Sequence, residues 1–73
     1  MAEIEMVPVR SSNLASAGFD EEAQTMRIEF VTGSAYDYAG VSRATYDALL
    51  AAPSAGEFFA RNIRNRFSFT KVA

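Results

Sequence analysis

Alternation between Thr25 and Val31 sets the fold class. Met26, Ile28 and Phe30 fall on one side of an extended chain, and Arg27 and Glu29 fall on the other. Thr32-Gly33-Ser34 then turns the chain, and Ala35–Val41 returns as the partner strand of a hairpin. A half-polar hairpin must cover its apolar face, and the rest of the chain supplies the cover. Ser42 is an N-cap, with Val41 and Tyr46 at the N′ and N4 positions of a hydrophobic staple. This predicts a helix that ends near Ala52, because Pro53 disfavours helical geometry just before it. Ser54 and Glu57 form an S-x-x-E capping box for a second helix, on which Phe59, Ile63 and Phe67 recur as a buried stripe. Arg61 and Arg64 lie opposite that stripe with Glu57, and Arg66 lies at its margin.

Upstream, Leu14–Phe19 reads as a weaker strand, and Asp20-Glu21-Glu22 as a polar turn. Met6–Arg10, interrupted by Pro8, is an edge strand or an extended arm. The expectation is a single domain over residues 1–73, of the α+β class. A small antiparallel sheet of three strands, with the N-terminal segment as an optional further edge strand, is followed by two helices packed on one face.

The register of the hairpin decides where Tyr36 and Tyr38 point, since a slip of one residue reverses every side chain. A two-residue Thr32-Gly33 loop sets Tyr36 beside Glu29 and Tyr38 beside Arg27, on the outer face. A three-residue Thr32-Gly33-Ser34 loop sets Tyr36 beside Phe30 and Tyr38 beside Ile28, on the apolar face. The second register separates apolar from polar cleanly and is preferred; the first is the alternative.

At 73 residues and with no histidine, cysteine or tryptophan, the chain has few routes to catalysis. Thiolate nucleophiles, histidine acid-base chemistry, a Ser-His-Asp arrangement and the usual zinc, haem and iron-sulfur ligand sets are all excluded. Phosphate-cradling glycine motifs are absent, and Asp20-Glu21-Glu22 lacks the spaced oxygen ligands of a calcium loop. The expected protein is therefore not an enzyme and carries no cofactor or metal. No stretch approaches a membrane span, and no secretory pattern opens the chain, so a cytoplasmic monomer is expected.

Charge is distributed unevenly. Residues 1–57 carry −6, whereas residues 58–73 carry +4 from Arg61, Arg64, Arg66 and Lys71. This basic cluster can meet RNA phosphates or an acidic protein surface; the structural alternative is cations gathered at a helix C-terminus. Phe58 falls off the helical stripe and either buries against the N-terminal arm, the preferred reading, or stands exposed beside arginines as an interface anchor. The arm, Ala2–Arg10 with Ile4, Met6 and Val7, closes the sheet edge or offers a strand to a partner. On the sheet, Tyr36 and Tyr38 either stack bases or fill the core.

An ordered series of residues resembles a known family. Ser11-Ser12-Asn13-Leu14, Gly18-Phe19-Asp20, Ile28-Glu29-Phe30, Gly33, Tyr36-Asp37-Tyr38, Tyr46, Ala52, Ser54 with Gly56, and Ile63-Arg64 look like the KTSC domain over residues 7–70. That family occurs at the C-terminus of some lysyl-tRNA synthetases and as free-standing bacterial and phage proteins. Its central mark is the Y-x-Y triplet. This chain departs from the pattern with Ser42 in place of a proline and Ala60 in place of an asparagine, and it lacks a tyrosine near Phe67. The resemblance implies RNA binding through the synthetase association.

Size and strand-then-helix order are also similar to small phage transcription regulators that bind host bacterial RNA polymerase, displace sigma factor and suppress termination. On that resemblance the expected partner is bacterial RNA polymerase, met by the basic second helix and the N-terminal arm; RNA is the alternative partner.

Overall fold

The computed structural model describes residues 4–73, so Ala2 and Glu3 of the expected arm lie outside the described residues. Strands β1 (Met6–Pro8), β2 (Leu14–Asp20), β3 (Thr25–Phe30) and β4 (Ala35–Ala39) come first. Helices α1 (Arg43–Ala51) and α2 (Ala55–Asn62) follow, and β5 (Phe69–Lys71) closes the chain. The sheet is an antiparallel meander in the order β1-β2-β3-β4-β5, with the helices inserted between its last two neighbours. It has five strands rather than three.

The extra C-terminal strand comes from the early end of α2. Ile63 leaves helical geometry at φ −123°, and the Phe59 carbonyl accepts from both the Ile63 and Arg64 amides, at 3.0 Å each. The Arg66 amide donates to the Ile63 carbonyl, 3.0 Å, and completes a turn. Phe67 therefore packs against the core from a loop and not as the third rung of a helical stripe. The chain is then free to lay Phe69–Lys71 against β4, opposite Tyr38, Asp37 and Tyr36.

Both helix starts are as expected. The Ser42 hydroxyl accepts from the Thr45 amide and the Ser54 hydroxyl from the Glu57 amide, each at 3.2 Å. The capping box is used by half: the Glu57 carboxylate pairs with Arg61 at 3.0 Å.

The hairpin loop has three residues, but they are Val31-Thr32-Gly33, with Gly33 at φ +100°. The Phe30 amide donates to the Ser34 carbonyl, 2.8 Å, and Tyr36 lies opposite Ile28 and Tyr38 opposite Met26. The register thus differs by two residues from the expected inward pairing. A shift of two preserves the face, so both tyrosines still point inward.

Leu14, Ala17, Met26, Ile28 and Tyr38 from the sheet meet Val41, Tyr46, Leu49, Phe59 and Ile63 from the helical half in one core. The outer face holds polar pairs: Arg27 donates through Nε and Nη2 to both Asp37 oxygens, at 2.7 and 3.1 Å, and Ser16 Oγ donates to Glu29 Oε1, 2.9 Å. At the β2–β3 turn, Asp20 accepts from the Glu22 and Ala23 amides, so the acidic turn is built by its own carboxylate.

Candidate functional site

The sheet end nearest β5 is aromatic because the meander stacks its inner-face rings in sequence. Phe30 lies edge-to-face on Tyr36 (centroids 5.8 Å) and on Phe59 (5.6 Å), while Tyr38 meets Phe59 at 5.4 Å. Phe69 on the edge strand reaches Tyr36 at 5.8 Å and Tyr38 at 5.9 Å. Phe59 and Tyr38 are buried, and Phe30 and Tyr36 half-buried, whereas Phe69 is 58% exposed. These five rings, with Asn13, Arg64 and Asn65, line an open cleft of about 400 Å³.

The one charged side chain among the described residues lining the cleft is a cation. Among the described residues Arg27, Arg43 and Arg61 are engaged in ion pairs, while Arg64, Arg66 and Lys71 form none. Arg64 lines the cleft. Lys71 is directly opposite Tyr36, which puts it on the same face of the sheet as the aromatic rings. Among the described residues no carboxylate lines the cleft. Burial pushes the Tyr38 phenol above the ordinary tyrosine value, the adjacent Tyr36 adds to the rise, and Arg64 opposes it.

The predicted site residues separate into three groups. Tyr36, Tyr38 and Arg64 come together in the cleft, with Lys71 beside Tyr36 and Arg66 exposed on the turn between α2 and β5. The four cations do not share a helix: only Arg61 lies within α2, and Lys71 belongs to β5. Phe58 and Arg61 line a second groove with Ala52, Pro53, Ser54, Glu57 and Asn62. Phe58 is half-buried and packs against the core, and among the described residues no arm residue lines its groove.

The arm itself divides between the two faces of the sheet. Met6 is opposite Gly18, whose other partner is Arg27, so Met6 lies on the outer face, and Ile4 also closes over Gly18. Val7, opposite Ala17, lies on the inner face and lines a third groove with Val9, Leu50 and Pro53. The Val7 groove adjoins that of Phe58 and Arg61 through Ala52 and Pro53, whereas Met6 and Ile4 lie on the other face of the sheet.

Asn13, Asn65 and Phe69 were not among the expected site residues. Phe69-Thr70-Lys71 carries the β-branched and aromatic alternation of a short strand, and that was the signal available for Phe69. Asn13 reads in sequence only as a turn residue, and it is one: Ser11 Oγ accepts from the Asn13 and Leu14 amides, at 3.3 and 3.2 Å.

Among the described residues no group of three or more His, Cys, Asp or Glu is placed to hold a metal ion, and no helix is long and apolar enough to cross a membrane.

Comparison with known proteins places these features in a family. The profile of the KTSC domain matches residues 10–67. A protein of Tsukamurella paurometabola is 39% identical over 62 residues, covering 85% of this chain and 92% of the relative. A lysine–tRNA ligase of Nostoc punctiforme is 34% identical over 55 residues; these cover 75% of this chain but 10% of the ligase. The crystal structure of a KTSC domain protein from Yersinia pestis superposes with a TM-score of 0.91 at 30% identity, covering 97% of this chain and 100% of the other. With Tyr36 and Tyr38 of its Y-x-Y triplet lining the aromatic cleft and Asp37 between them on the outer face, this chain belongs to the KTSC domain family.

Proposed function

We propose that the chain is a non-catalytic module that binds single-stranded RNA in the aromatic cleft. The observation that carries the reading is Phe69, an exposed ring held against Tyr36 in a cleft that Arg64 also lines, a cation without an acidic partner among the described residues. Stacked bases and tracked phosphates are what such a platform accommodates, at about 1–3 kcal/mol per stacked base. Burial removes Tyr38 from stacking, so Phe69 and Tyr36 replace the Tyr36-Tyr38 pair as the platform. Kinship with a segment of a lysine–tRNA ligase agrees with an RNA ligand. In this reading the protein works as a cytoplasmic monomer without cofactor or metal.

A protein partner is the second reading, with bacterial RNA polymerase as the candidate. One observation favours a protein: β5 is an edge strand, with Phe69 58% and Val72 43% exposed, and such an edge can accept a partner's strand. The polymerase itself rests on size and element order, and the strand after the helices departs from that order.

The two readings part in one experiment. A pull-down from bacterial lysate, with and without nuclease, is combined with titration of a fluorescent octauridylate across salt concentrations. RNA binding predicts partners lost on nuclease treatment, and a log-log salt slope of about −2 if Arg64, Arg66 and Lys71 each meet a phosphate. Polymerase subunits retained after nuclease, with no octauridylate binding, would replace this reading with the second.

A further inference from the structure

Two polar side chains of the cleft, Asn13 and Arg64, turn donors towards a ligand, and the chain itself fixes the first of them. Ser11 Oγ has two lone pairs and one proton to place. It accepts from the Asn13 and Leu14 amides at 3.3 and 3.2 Å, which uses both lone pairs. Its proton must therefore go to an acceptor, and the Asn13 side-chain atom at 2.8 Å is Oδ1. The orientation of the Asn13 amide follows from this count. Its oxygen is held, and its Nδ2, with two N–H donors, has no hydrogen-bond partner among the described residues. Asn13 lines the cleft beside Arg64, whose guanidinium also only donates. Asn65 can present either end of its amide and the Tyr36 and Tyr38 hydroxyls can donate or accept, but among the described residues no carboxylate lines the cleft to take a proton from a base.

We infer that the cleft selects a base with a carbonyl oxygen at pyrimidine position 4 or purine position 6, as in uracil or guanine, over one with an exocyclic amine there, as in cytosine or adenine, and that Asn13 reads the difference. The inference rests on the RNA reading of the cleft. Uracil and cytosine share size and ring, so stacking on Phe69 hardly separates them. They differ at position 4, where uracil offers an oxygen and cytosine an amine. Asn13 Nδ2 and the Arg64 guanidinium can donate to the oxygen, whereas an amine facing them meets only donors and loses its water without replacement. A matched base edge is worth about 1–3 kcal/mol over the wrong one, or about 5- to 150-fold in affinity.

The test compares fluorescent octauridylate and octacytidylate on the full chain, in the wild type and in two variants. The wild type is expected to bind octauridylate at least about fivefold more tightly. Asn13→Asp retains an acceptor for the Ser11 proton but exchanges the donor amide for a carboxylate; the preference should then fall to unity or turn towards cytidine, whatever the loss in overall affinity. Phe69→Ala should weaken both ligands together and leave their ratio unchanged. Equal wild-type affinities that still depend on Phe69, or an unchanged ratio in Asn13→Asp, would overturn the selectivity and leave RNA binding in place. Failure of the wild type to bind either oligonucleotide would overturn both.

Discussion

The Asn13 amide oxygen fills the space that a β-carbon on Gly56 would need, only 2.6 Å from that position, with Ser11 Oγ at 2.9 Å. Gly56 sits in the first turn of α2, so the helix is drawn against the 11–13 turn and the Asn13 amide is pinned at the cleft. Gly56→Ala would favour the helix by up to about 1 kcal/mol and offset much of the clash with two side-chain tips. We expect thermal stability within about 1 kcal/mol of wild type, but a displaced Asn13 and a diminished uridine preference. Circular dichroism melting beside oligonucleotide titration separates the two effects.

Gly18 presents the opposite case. A β-carbon there would lie 2.5 Å from Ile4 Cγ2, 2.7 Å from Met6 Sδ and 2.7 Å from the Glu5 carbonyl oxygen, and that last atom is backbone. The arm must move for any side chain at this position. Gly18→Ala should destabilise the fold by about 1–3 kcal/mol. Amide exchange should rise first along β1, the strand that loses its seat, which hydrogen-exchange mass spectrometry resolves.

Phe59 and Phe69 belong to the same aromatic cluster but do different work. Phe59 is 3% exposed and braces both Phe30 and Tyr38, so Phe59→Ala should cost about 3–5 kcal/mol and leave this small domain largely unfolded. Phe69, 58% exposed, should lose less than about 2 kcal/mol of stability on truncation yet most of the RNA affinity. Urea denaturation of the two variants, set beside binding of Phe69→Ala, checks the contrast.

Alkaline pH should destabilise the protein through its buried phenols. Burial pushes Tyr38 and Tyr46 above the ordinary value of 10.0; Tyr36 and Asp47, respectively, add to the rise, and Arg64 and Arg43 oppose it. Each phenol holds its proton more tightly folded than unfolded. The associated stability is fully present below about pH 10 and is lost as pH rises through the folded values. Urea midpoints should therefore fall above about pH 10, and Tyr38→Phe with Tyr46→Phe should flatten that decline.

The parts of the fold legible in the sequence were those with a local cause. Ser42, Pro53 and Ser54 mark where the helices begin and break, and the alternation of Met26, Ile28 and Phe30 identifies the central strand. The inward face of Tyr36 and Tyr38 was legible because face depends on parity; the register was not, since pairings two residues apart share the same faces. The fifth strand was hidden for a different reason. Phe59, Ile63 and Phe67 fit a helical stripe, and nothing local says that the helix stops at Asn62 so that Phe69 can pair opposite Tyr38. The cleft inherits that gap. Tyr36, Tyr38 and Arg64 were accessible as candidates, whereas Asn13 and Phe69 join them only through pairings distant in sequence.

Binding in the aromatic cleft is checked by titrating the isotopically labelled chain with octauridylate and following its two-dimensional amide NMR spectrum. The account predicts shifts concentrated at Asn13, Tyr36, Arg64, Asn65 and Phe69, including the side-chain amide of Asn13, with α1 and the outer-face pair Arg27 and Asp37 unmoved. Shifts confined to the groove of Phe58 and Arg61, or a spectrum unchanged at saturating RNA, would contradict it.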